Sequence, residues 1–99
     1  MKEIINQLDK VFESRVRLGL MSVLVVNDWV DFAALKKMLE VTDGNLASHI
    51  SALEKKDFIE VRKQFIGKKP NTSFRITDAG RQAFSNHLSA LERLIKGQG

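Results

Sequence analysis

The sequence predicts a mainly α-helical domain with one small β-hairpin, an α+β fold, and three observations carry that prediction. Apolar residues recur at helical spacing through most of the chain. Only the stretch from Ile59 to Ile76 switches to strict alternation. With 99 residues, 43% hydrophobic and 28% charged, the chain suits one globular domain, residues 1–99. That composition excludes a disordered tail. Apolar runs such as Val23 to Val26 fall far short of the roughly 18 residues of a membrane span. The start, Met1-Lys2-Glu3-Ile4-Ile5-Asn6, has no apolar signal core, so no membrane partner is expected. The absence of cysteine excludes disulfides and thiolate metal sites and fits a cytoplasmic protein.

Each element has its own justification. Ile4, Leu8 and Val11, widened by Ile5 and Phe12, predict a first helix over residues 1–12. Ser14 reads as the N-cap of a second helix reaching about Val26, with Val16, Leu20, Met21, Leu24 and Val25 on its apolar face. Asn27-Asp28 breaks it, and Trp29-Val30 can form a very short strand. Asp31 caps the next helix, Phe32 to Leu39, with Val30 and Leu35 at the spacing of a hydrophobic staple. Thr42 caps a helix ending near Lys55-Lys56, with Val41 and Leu46 repeating the staple and Leu46, Ile50 and Leu53 buried. Residues 32–56 thus read as a helix-turn-helix. Ile59, Val61, Lys63 and Phe65 alternate with polar residues, as do Thr72, Phe74 and Ile76, and Gly67-Lys68-Lys69-Pro70-Asn71 reads as the turn between them. Residues 58–77 therefore form a hairpin. Thr77 caps the last helix, residues 78–96, whose Phe84, Leu88, Leu91 and Ile95 step by four, three and four as in a coiled coil; Lys96 to Gly99 reads as a frayed end.

The charge is unevenly placed. Sixteen Lys and Arg against twelve Asp and Glu give a net +4. Residues 1–61 carry eight basic and ten acidic side chains, and residues 82–99 carry two and one. Residues 62–81 carry Arg62, Lys63, Lys68, Lys69, Arg75 and Arg81 against Asp78 alone. The basic excess falls on the hairpin, which points to an anionic partner, the alternative being a basic solvated loop.

This order of elements resembles the short, single-domain winged helix-turn-helix transcriptional regulators of the MarR/ArsR superfamily. The resemblance is carried by residues 42–50, by Leu53-Glu54-Lys55-Lys56-Asp57-Phe58-Ile59, by Lys63-Gln64-Phe65, by the turn, and by Phe74-Arg75-Ile76-Thr77-Asp78-Ala79-Gly80-Arg81. It implies a regulator that binds double-stranded DNA, commonly as a homodimer joined through terminal helices. One departure is Asp57, where the family usually has glycine.

The residues themselves suit that implication. An α-helix fits the major groove, and helical projection puts Gly44, Ser48, Ser51 and Lys55 opposite the Leu46/Ile50/Leu53 stripe, flanked by Asn45 and Ala52. Asn45 can pair with an adenine edge, and Thr42 and Gly44 stand at a helix N-terminus open to phosphate. The alternative is an ordinary solvent face. His49, at the edge of that arc, either meets DNA or packs inside the domain. Lys68 and Lys69 are expected on backbone phosphates or the minor groove, with Arg62, Lys63 and Arg75 on the hairpin arms. The Lys63 stem shares parity with Ile59, Val61 and Phe65, so it can instead cover core surface. Trp29 and Phe32 read as core aromatics rather than a ligand pocket. Ile4, Leu8, Val11, Phe84, Leu88, Leu91 and Ile95 are expected at a homodimer interface, because one small domain cannot easily bury both stripes; the two reading heads would meet half-sites roughly 34–36 Å apart.

No enzyme is expected. There is no Cys nucleophile, no Gly-x-Ser-x-Gly, no phosphate-binding glycine loop and no His-Glu-x-x-His, and His49 and His87 stand alone, so neither metal nor cofactor is implied. A cleft between dimer helices and reading head can accommodate a small apolar effector, but no residue set points to one. The competing function is a winged helix that binds an acidic protein.

Overall fold

The computed structural model describes residues 1–97 of the chain; residues 98 and 99, part of the expected frayed end, lie outside the described residues. Helices α1 (Lys2–Ile5), α2 (Arg15–Val25), α3 (Phe32–Leu39), α4 (Asp43–Lys55) and α5 (Asp78–Ile95) surround a sheet of β1 (Val30–Asp31), β2 (Ile59–Ile66) and β3 (Lys69–Ile76). The strand order is β1-β3-β2, all antiparallel, with Val30 opposite Phe74 and Ile59 opposite Ile76.

Four sequence caps hold. The side chains of Ser14, Asp31, Thr42 and Thr77 accept the backbone N–H of Arg17, Ala34, Asn45 and Gly80, at 3.3, 2.8, 3.1 and 2.9 Å. Each satisfies one of the orphan donors of a helix start. α3 ends with Glu40 in the left-handed region (φ 52°). α4 ends in a Schellman arrangement: Asp57 takes φ 58°, its N–H reaches Glu54 O, and Phe58 N–H reaches Leu53 O. Asp57 thus adopts the backbone conformation for which glycine is the usual residue.

The expected first helix is corrected. It stops at Ile5, and a separate 3₁₀ turn covers Lys10–Phe12. Asp9 causes the break: its carboxylate accepts Val11 N–H at 3.0 Å, and its own N–H goes to His87 Nδ1 on α5 at 3.0 Å. Both bonds compete with helix continuation. The wing turn is corrected too. Only Gly67-Lys68 lies between the strands, with Ile66 opposite Lys69 and Phe65 opposite Pro70. Gly67 takes φ 64°, as the first position of a two-residue type II′ loop requires. In such a loop Ile66 and Lys69 are the hydrogen-bonded pair, so the next pair is not, and Pro70 forfeits no ladder bond.

The core gathers Phe12, Leu20, Met21, Leu24, Leu35, Leu46, Leu53, Ile59, Phe74 and Phe84. Phe12 is its centre, fully buried, stacked on Phe58 at 5.5 Å and edge-on to Phe84 and His87 at 5.3 Å. The predicted dimer set divides accordingly. Ile4, Val11 and Phe84 are buried within the chain, because α1 lies against α5 and the 3₁₀ turn feeds the core, so their stripe is already covered without a second copy. Leu8 and Leu91 are half-buried, whereas Leu88 and Ile95 are 45% and 84% exposed. The body is elongated, 55 × 25 × 21 Å with a radius of gyration of 14.9 Å, against about 13 Å for a compact chain of this length.

Candidate nucleic-acid interface

α4 is held from below and bare above. Leu46, Ile50 and Leu53 bury its underside, while Thr42, Gly44, Asn45, Ser48, Ser51 and Lys55 are exposed. A Cβ added at Gly44 would meet nothing within 4 Å, so the first turn presents open backbone. Asp43 would repel phosphate there, but Lys36 Nζ at the end of α3 sits 2.8 Å from its carboxylate and offsets the charge.

Two grooves flank the ridge. On one side Ala47, Ile50 and Glu54 face Val61, Lys63, Thr72 and Phe74 of the hairpin. Lys63 therefore stands on the sheet face turned to α4, and the hairpin leads from it to the exposed Lys68 and Lys69 at the tip. On the other side Ser48, Ser51, Ala52, Lys55 and Lys56 face Asp9, Lys10 and Val11 of the N-terminal turn and Arg17 of α2, around a groove of about 760 Å³. At 100° per residue, Ala47/Ile50/Glu54 and His49/Ala52/Lys56 lie on opposite flanks, each about a quarter turn from the ridge.

The structure does not bring every predicted cation to this surface. Arg62 and Arg75 have the opposite strand parity to Val61, Lys63 and Phe74, so they project from the far sheet face. There their guanidinium carbons stack at 4.3 and 4.5 Å from the Trp29 ring centroid. Arg75 also pairs with Glu60 at 2.5 Å and Asp28 at 3.8 Å. Both arginines leave the candidate surface, and Trp29 is their half-buried platform. His49 is bonded inside the domain: Arg17 Nε donates to its Nδ1 at 2.9 Å, and Arg17 Nη1 reaches Val11 O at 3.4 Å. Burial first, and the Arg17 charge second, hold His49 below the ordinary histidine value of 6.5.

Lys10, Arg17 and Lys56 were missed by sequence reasoning. Charge counted along the chain hides them, since residues 1–61 are net acidic; folding brings Lys10 and Arg17 beside the C-terminal half of α4, where Lys56 is the cap. Among the described residues no group of three or more His, Asp and Glu is placed to hold a metal ion, and no helix is long and apolar enough to cross a membrane.

A helix-turn-helix whose second helix is exposed beside a two-stranded wing defines the winged-helix class of DNA-binding domains. The chain belongs to the winged helix DNA-binding domain family, whose model matches residues 16–95. The uncharacterised protein MJ0432 of Methanocaldococcus jannaschii is 37% identical over 87 residues, covering 88% of this chain and 95% of that one. The structure of a transcriptional regulator homologue from Pyrococcus horikoshii superposes with a TM-score of 0.85 at 35% identity, over 97% of this chain and 93% of that one. Sco3205, a MarR-family transcriptional regulator from Streptomyces coelicolor solved in complex with DNA, shares the fold, with a TM-score of 0.66 at 17% identity over 99% of this chain and 68% of that one. Family and fold are those of transcriptional regulators, not of enzymes.

Proposed function

We propose that α4 enters the major groove of duplex DNA while the wing rests on the adjacent backbone or minor groove. The observation that carries this is the exposure of α4 beside the wing: the ridge of Gly44, Ser48, Ser51 and Lys55 is open, and Lys63 of the hairpin lines the groove along the neighbouring flank of Ala47, Ile50 and Glu54. A helix about 10–12 Å across fits a major groove about 12 Å wide. Asn45, Ser48 and Ser51 are the base-reading candidates; Thr42, Lys55, Lys63, Lys68 and Lys69 contact phosphates, which adds affinity without sequence information. The DNA-bound relative supports the reading by its fold.

The functional unit is a homodimer paired through α5, where Leu88 and Ile95 are left uncovered. The elongation of a single chain supports this. The test is binding to random-sequence duplex across a salt series. Three or four phosphate contacts per protomer give a log–log slope near −3. Replacing Lys68 and Lys69 with alanine weakens binding to all sequences alike and makes the slope shallower. Absence of duplex binding at low salt, with capture of an acidic protein instead, contradicts the reading.

A further inference from the structure

We infer that the groove between the N-terminal turn and α4 is a second phosphate-binding site, which grips the DNA strand on the side of the reading helix opposite the wing. This rests on the DNA reading above and adds Lys10 of the N-terminal turn and Arg17 of α2 to the cations of α4, on the flank away from the wing. Four cations from three separate parts of the chain converge there: Lys10, Arg17, Lys55 and Lys56, with Asp9 the single acidic lining residue. Asp9 is already engaged, its carboxylate accepting Val11 N–H. Ser48 and Ser51 add hydroxyls along the ridge side, and a hydroxyl can donate to a phosphate oxygen.

Geometry selects the ligand. A helix seated in the major groove has one phosphate strand along each flank. The wing serves the flank of Ala47, Ile50 and Glu54 through Lys63, with Lys68 and Lys69 exposed further out at its tip. The N-terminal turn serves the other flank, at a similar angular distance from the ridge. Arg17 is already fixed before any ligand arrives, since Nε donates to His49 Nδ1 and Nη1 to the Val11 carbonyl. That leaves less side-chain entropy to lose on binding. Lys10 and Lys56 are exposed and free to reach outward. The groove is open and flanked by long cationic side chains, which suits a continuous backbone.

The experiment compares the intact chain with a Lys10→Gln/Lys56→Gln variant, using a random-sequence duplex of 25 to 30 base pairs and a salt series. Both side chains are exposed, so the melting temperature should not move. For one lost phosphate contact per protomer the slope becomes shallower by about 0.9 and affinity at 0.1 M salt falls about 8-fold; two lost contacts give about 60-fold. Phosphate ethylation should interfere with wild-type binding on both flanks of the reading helix, and with variant binding only on the wing side. If wild type binds duplex, the Lys68→Ala/Lys69→Ala variant binds it more weakly and the groove variant keeps the wild-type slope, the second site is refuted while the DNA reading stands. If wild type binds no duplex, both fall together.

Discussion

Gly80→Ala should unfold this domain more readily, although alanine is the better helix former. Gly80 lies in the first turn of α5, pressed against the corner where α4 hands over to β2. A Cβ there would sit 2.8 Å from the Phe58 carbonyl carbon and 2.9 Å from its Cα, and closer still to its carbonyl oxygen. Relaxed carbon contacts are about 3.5–4.0 Å, so roughly 1 Å of movement is required. The corner resists it. Thr77 N–H donates to Phe58 O at 3.0 Å, Thr77 Oγ1 donates to Asp57 O at 2.6 Å, and Gly80 N–H donates to Thr77 Oγ1 at 2.9 Å. Overpacking costs about 1–3 kcal/mol, and one or two weakened hydrogen bonds about 1 kcal/mol each. The helix-propensity gain returns about 1 kcal/mol. The net loss is about 1–4 kcal/mol, or a fall in Tm of at least roughly 4–8 °C for a domain of this size. Thermal denaturation followed by circular dichroism measures it. Gly44→Ala is the control: with nothing within 4 Å of the added carbon, it should gain about 0.5–1 kcal/mol. If both variants melt above wild type, the close packing of α5 on the corner is refuted.

Three further outcomes follow from the same structure. His49 is held below its ordinary value, so the unfolded chain binds more protons as pH falls through about 6.5, and stability drops with it. His49→Asn keeps an acceptor for Arg17 but does not titrate, so its melting temperature should fall less than wild type between about pH 7 and pH 5; parallel curves would contradict this. Asp57→Gly relieves a left-handed residue (φ 58°), and against the entropy cost of glycine it should stabilise by about 0.5–1 kcal/mol in urea denaturation; a loss would mean that the Asp57 side chain contributes at the corner. Trp29, the single tryptophan, stands on the sheet face away from α4, so acrylamide quenching of its fluorescence should be the same with and without bound duplex. Protection of Trp29 by DNA would place the binding surface on the wrong face.

How much of this was legible in the sequence depended on whether the signal was local. Caps at Ser14, Asp31, Thr42 and Thr77 are decided within three residues, and each was readable in advance. The alternation through Ile59–Ile66 fixed β2 and its parity, which already allowed Arg62 to face away from Lys63. What parity alone could not supply was Trp29, a residue distant in the chain that recruits Arg62 and Arg75 to the far face. Helical spacing at Ile4, Leu8 and Val11 misled because Asp9 offers the backbone a competing partner and His87, 78 positions away, takes its N–H. The turn misled in the same manner: Pro70 and Asn71 are turn-forming residues, yet the tight loop at Gly67 absorbs the reversal and leaves them in β3. Lys10 and Arg17 belong to an acidic stretch of chain, and only tertiary packing carries them to α4.

Backbone amide shifts recorded during titration with a short duplex test the central claim most directly. The account predicts that Gly44, Ser48, Ser51 and Lys55 on α4 and Lys63, Lys68 and Lys69 on the wing move together, while Leu88 to Ile95 and the Trp29 face stay in place. Perturbations confined to α5 or to the far side of the sheet, with α4 silent, would contradict it.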